Sequence, residues 1–262
     1  ASGMGGASGA SGSGGSFDAT NEGAESDAPA TSYVEEVMKD NPIAYWRLGE
    51  STGVTTAQSA TGVHHATFGG TPAFARPGAI AGDSDTAIAF EGPDDAARVA
   101  DVDASAFEFS NDAQFSVELW VSFTGNGCGT SANQFHLVEK FDAVTATKGG
   151  WKIYVSDCAN PDAGENRFVV FMMVELGGAV SSYVRTPSMD REFHHVLAVY
   201  DGQTPKIYLD GKADTKLAGD PKKVTLSAST VPLSIGNNKG GVTFRGSVLV
   251  EIAIYRYALD HT

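Results

Sequence analysis

Apolar and polar residues alternate with a period of two along much of this chain. Phe115, Val117, Leu119, Val121 and Phe123 alternate with Ser116, Glu118, Trp120 and Ser122, which predicts a strand with one face in a core. Phe168 to Leu176 (FVVFMMVEL) and Val248 to Tyr257 are apolar on both faces over most of their length, as central strands of a two-layer fold are. Asp201-Gly202 separates HHVLAVY from KIYL, and Asp210-Gly211 closes the next strand, so this stretch predicts consecutive antiparallel hairpins. One helix breaks the pattern. Ser32 and Glu35 have the spacing of a capping box, Val34, Val37 and Met38 recur at helical spacing, and Asn41 with Pro42 stops the run. That helix is expected to lay one apolar edge on the strands. Many short strands, Gly-rich turns and almost no helix make the chain all-β.

Composition divides the chain in two. Residues 1–30 begin with a run of Gly, Ser and Ala and continue with FDATNEGAESDAPA, which has acids and no base; such a stretch buries too little to fold alone and reads as a tail or linker. Residues 31–262 are expected to form one domain, since 42% hydrophobic and 10% aromatic content over 262 residues suffices for a sizeable single core. The 18 basic against 32 acidic residues leave a net charge of -14, which argues against nucleic acid or an anionic membrane surface as partner. No run of 18 apolar residues is present to span a bilayer.

Four segments carry a resemblance. AYWRLGE at Ala44 to Glu50, FHHVLAVYDGQTPKIYLDGK at Phe193 to Lys212, PLSIG at Pro232 to Gly236 and EIAIYRYALD at Glu251 to Asp260 resemble the laminin G-like branch of the concanavalin A-like lectin and glucanase superfamily. The resemblance covers roughly residues 33–262. It implies a two-sheet antiparallel jelly-roll sandwich with one short N-terminal helix, and because the matching positions are strand cores and turns it speaks to fold rather than function.

Enzymes that share this architecture carry paired carboxylates in an E-x-D-x-E strand, because nucleophile and acid must stand ~5 Å apart. This chain has no such pattern. Glu118 and Glu251 each stand alone among apolar neighbours, and no nucleophile elbow, H-E-x-x-H or Walker loop occurs, so the expectation is a domain without catalysis. The doublets His64-His65 and His194-His195 are expected to be structural rather than zinc ligands, with one ring of the second doublet in the core. Calcium, which many members of this family hold, is not expected at the family position. The acids of its D-S-S-G-N and I-D-E-V stretches are replaced by Gln58 and Val250, leaving only Glu50 and Glu251 as weak candidates.

Trp46, Trp120 and Trp151 fall inside strand patterns and are expected in the core rather than on a sugar-stacking platform. For a ligand site the candidates are loop residues: Asn237, Asn238 and Lys239 in SIGNNKGG, with Phe141 and Asp142. If FSVELWVSF, HLVEKF and WKIYVS are three sequential antiparallel strands, Cys128 and Cys158 sit at one end of the sheet. A disulfide closing that loop of ~30 residues would be worth ~3 to 4 kcal/mol.

The leading expectation is a non-catalytic recognition or adhesion domain that binds a glycan or a surface protein through rim loops. The alternative is a structural subunit of a cell-surface filament, coat or virion that self-assembles through residues 1–30. Either implies an extracellular or cell-surface location after export. The start without Met fits a removed leader, and the tail resembles the linkers of exported proteins and surface lipoproteins, with a lipid anchor upstream of residue 1 as one form.

Overall fold

The structure is a computed structural model. It describes residues 32–92, 94–111, 113–124, 134–143, 148–156, 168–213, 218–236 and 246–260. The tail at residues 1–30, Cys128, Cys158, Asn237, Asn238 and Lys239 lie outside the described residues.

The helix α1 (Tyr33–Lys39) opens the domain. In chain order the strands then run β1 (Ala44–Trp46), β2 (Thr56–Ala57), β3 (Ala66–Gly69), β4 (Ala73–Pro77), β5 (Thr86–Phe90) and β6 (Ala96–Val99). After a helical turn at Asp101–Ala104 come β7 (Phe115–Phe123), β8 (Gln134–Asp142), β9 (Gly149–Ser156), β10 (Phe168–Val174) and β11 (Ser181–Arg185). The chain ends with β12 (His194–Tyr200), β13 (Pro205–Leu209), β14 (Lys212–Ala213), β15 (Ala218–Asp220), β16 (Leu233–Gly236) and β17 (Ser247–Tyr255).

These strands build a jelly-roll sandwich in which every paired neighbour is antiparallel among the described residues. Sheet I runs β14-β13-β12-β7-β17-β5-β4, with β1 sharing the β5 edge of β17. Sheet II runs β15-β11-β10-β9-β8-β16-β6-β3-β2. The core lies between them. Phe115, Val117, Leu119 and Val121 of sheet I face Trp151, Ile153, Val169 and Phe171 of sheet II, so the period-two pattern of the sequence does mark the inward faces. Both expected hairpins form. The turn between β13 and β14 is built on Asp210 and Gly211, each with positive φ (48° and 72°), the backbone that twists two strands into a tight hairpin.

Two expectations need correction. The strands β7, β8 and β9 are not sequential neighbours, because β7 pairs with β12 and β17 in sheet I whereas β8 pairs with β9 and β16 in sheet II. Alternation marks a strand's buried face but not its sheet, so Cys128 and Cys158 follow strands of different sheets rather than two strands of one. On α1, Val37 is buried and Tyr33 and Val34 pack beside it, but Met38 is 37% exposed, since seven residues present only one narrow stripe. The strand β17, apolar on both faces as expected, also carries a bulge. An extra residue at Glu251 (φ 55°) shifts its register against β7, so that Leu249 and Ile252 both point into the core.

Candidate functional site

The outer face of sheet I is polar but occupied by its own contacts. α1 lies across it, with Val37 and Tyr33 on Tyr45, Ala253 and Tyr255. Glu118 accepts a hydrogen bond from the Tyr255 hydroxyl and pairs with His195 Nε2 at 3.2 Å, and burial together with Glu118 pushes the Tyr255 phenol up. Trp120 donates Nε1–H to the Tyr33 hydroxyl at 2.9 Å and its ring packs on His195. Beside them Arg47 joins Glu251 (Nη2 to Oε1, 2.9 Å), Asp83 (2.6 Å) and Asp85 (3.0 Å), while the Tyr45 hydroxyl donates to Glu251 Oε2. The Glu251 side chain is 1% exposed; burial raises its carboxyl above the usual range, with Arg47 and Tyr45 acting in the opposite direction. A cavity of about 480 Å³ between α1 and this face has nine described residues in its lining, and four of them, Tyr33, Trp120, His195 and Glu118, are engaged with one another or with Tyr255.

Sheet II presents a different outer face. Strand register places residues in transverse rows, because outward positions on neighbouring strands stand side by side. One row reads His136, Tyr154, Val170 and Arg185 across β8 to β11. The next reads Arg98, Ser234, Glu139, Lys152, Met172 and Tyr183, and at ~4.8 Å per strand it spans about 24 Å. Tyr183 is 38% exposed, and with Tyr154, Ser156, Val170, Arg185 and Gly219 it forms a groove of about 280 Å³. Neither the Tyr154 nor the Tyr183 hydroxyl bonds another described residue. The Lys152 ammonium lies 4.6 Å from the Tyr154 ring and 4.9 Å from the Phe141 ring, and burial lowers its pKa against the opposing charge of Glu139. Arg185 stacks its guanidinium on Phe168 at 4.3 Å. Two carboxylates belong to these rows, Glu139 on β8 and Asp220 at the end of the second on β15, and the strand order sets them four strand spacings apart, about 19 Å.

The positions singled out from sequence fall differently. Phe141 is 7% exposed with Lys152 over its ring, and Asp142 ends β8 next to it. Trp46 and Trp151 are fully buried, but Trp120 is not a core residue: it shares the outward parity of Ser116, Glu118 and Ser122, and it is half-buried beside α1. Neither ring of His194-His195 enters the core. His194 is held between Asp190 (3.0 Å) and Asp210 (2.8 Å), and His195 lies on the outer face. His65 accepts the Ser59 N–H at 3.0 Å, and His64 packs edge-on against Phe107. Glu251 does not suit a calcium ligand, because Arg47 already holds its carboxylate; Glu50 accepts the Gln58 N–H at 2.8 Å and leaves Oε2 buried without a partner. Among the described residues no three His, Cys, Asp or Glu side chains group as a metal site.

Tyr154, Tyr183 and Arg185 were not found from sequence. The signal was present as outward parity in WKIYVS and SSYVR, but only the pairing of β9, β10 and β11 sets these side chains together.

Residues 91–262 match the laminin G-like family described as the concanavalin A-like lectin/glucanases superfamily. The chain belongs to this superfamily. No curated protein matches the chain in sequence. Among solved structures, this superfamily member is similar to the binding domain of botulinum neurotoxin serotype G (10% identity, TM-score 0.61, covering 84% of this chain and 49% of that one). It is also similar to the binding domain of Paraclostridial Mosquitocidal Protein 1 (14%, 0.58, 86% and 51%). A third is the binding domain of botulinum neurotoxin DC in complex with SialylT (16%, 0.57, 85% and 49%). At these identities the likeness is one of fold, and the chain spans about half the length of the solved structures it matches.

Proposed function

We propose that this chain is a non-catalytic carbohydrate-binding domain whose ligand lies across the outer face of sheet II. The observation that carries this reading is the groove at Tyr183. An exposed phenol on a rigid strand offers a flat face for a sugar ring, and the unbonded hydroxyls of Tyr154 and Tyr183 offer hydrogen bonds to sugar hydroxyls. The 24 Å row beside it has the length for several sugar units. Hydrolysis is disfavoured by the separation of Glu139 and Asp220, which exceeds the ~5 to 9.5 Å used by either class of glycosidase. The SialylT bound by the neurotoxin DC domain of the same fold gives independent support for the carbohydrate class.

The test is calorimetric titration of a panel of oligosaccharides into wild type and Tyr183→Ala. Binding that weakens about tenfold in the variant is expected; equal binding by both would place the ligand elsewhere, with the rim residues Phe141, Asp142 and Asn237 to Lys239 next to be substituted. The reading includes an extracellular site of action with residues 1–30 as a tether, for which their composition is the support. Deleting them should then leave both the mass in light scattering and the affinity unchanged.

A further inference from the structure

We infer that the groove on sheet II selects an acidic saccharide, with a carboxylate or sulfate received by Arg185 and the sugar ring on Tyr183. This rests on the reading of sheet II as a carbohydrate surface and adds the ligand's charge and the residue that reads it. Among the described residues that line the groove, Arg185 is the only charged one. It makes no ion pair with any described residue, in a chain where 32 acids outnumber 18 bases. The nearest carboxylate along the rows, Asp220 opposite Tyr183, is held by Lys222 at 2.7 Å.

The guanidinium is also held in place before any ligand arrives. Stacking on Phe168 fixes its plane, and the strand end that carries it is clamped where the Val169 N–H donates to Thr186 Oγ1 (3.0 Å) and the Thr186 N–H donates to the Val169 carbonyl (2.9 Å). A planar fork of N–H donors with its plane set in advance loses little freedom on binding, and it matches the two oxygens of a carboxylate or sulfate. Tyr183 lies on the same strand two residues away, on the same face, so one ligand can meet both.

The experiment titrates three oligosaccharides of equal length, an oligogalacturonate, its methyl-esterified neutral form and a κ-carrageenan fragment, which carries sulfate and no carboxylate, into wild type, Arg185→Gln, Arg185→Lys and Tyr183→Ala. Thermal melts confirm that each variant folds. The acidic sugars are expected to bind at least about tenfold more tightly than the neutral one. Arg185→Gln should erase that preference while keeping the neutral affinity, Arg185→Lys should restore part of it, and Tyr183→Ala should weaken all three. Which acid wins separates a carboxylate from a sulfate ligand. Equal affinity for acidic and neutral sugars, or a preference that survives Arg185→Gln, overturns the inference and leaves the carbohydrate site standing. No binding of any of the three, or binding untouched by both Tyr183→Ala and Arg185→Gln, overturns the site and the inference together.

Discussion

On the outer face of sheet I the polar side chains answer one another: Glu118 with His195 and Tyr255, Glu251 with Arg47 and Tyr45, Trp120 with Tyr33. On the outer face of sheet II, Tyr154, Tyr183 and Arg185 point hydroxyls and a guanidinium into a groove without a protein partner among the described residues. Both faces alternate with the same core, so a pattern of polar and apolar positions describes them equally. The difference lies in what stands opposite. Sheet I has α1 and the carboxylates of β7 and β17 to satisfy its aromatics; the Tyr154 and Tyr183 hydroxyls of sheet II have no such partner among the described residues.

This contrast can be broken most sharply at Arg47. Arg47→Met would leave Glu251 buried beside Tyr45 without its counter-charge, and should cost about 3–5 kcal/mol in urea unfolding. Adding Glu251→Gln should recover a good part of that loss; a single variant as stable as wild type would mean that the cluster is not what ties β1 to β17. Tyr183→Ala should do the opposite, weakening saccharide binding about tenfold while moving stability by no more than about 0.5 kcal/mol. If instead it unfolds the domain, the two faces do not divide stability from binding. Trp120→Phe removes the donor to Tyr33 and should lower stability by about 1 kcal/mol without touching saccharide affinity, measured on the same samples.

The smallest effect belongs to His194. Burial lowers its pKa, but Asp210 and Asp190 outweigh burial and the value is raised above 6.5. The group therefore adds stability that is fully present below the unfolded value of about 6.5 and is lost as pH rises through the higher folded value. The melting-temperature gap between wild type and His194→Gln should narrow as pH increases from about 6 to 8. A gap that stays constant would mean that the two aspartates contribute no charge interaction.

What could be read without a structure was local. The alternation in FSVELWVSF, the Asp-Gly turns and the helix at Tyr33–Lys39 each depend on residues a few positions apart, and the strand, the hairpins and the helix are present. The family segments carried the jelly roll because they are strand cores, whose burial tolerates few chemistries. Trp120 shares the outward parity of Glu118 and lies beside α1, so its position in the alternation, not the size of its ring, decides which face it takes. Tertiary structure alone decided that β7 and β8 belong to different sheets, that an extra residue at Glu251 turns β17 over, and that Tyr154, Val170 and Arg185 form one row. Each of these depends on which strands pair and in what register, and that choice is made by contacts between segments far apart in the chain, where a sequence pattern of period two is the same for every partner.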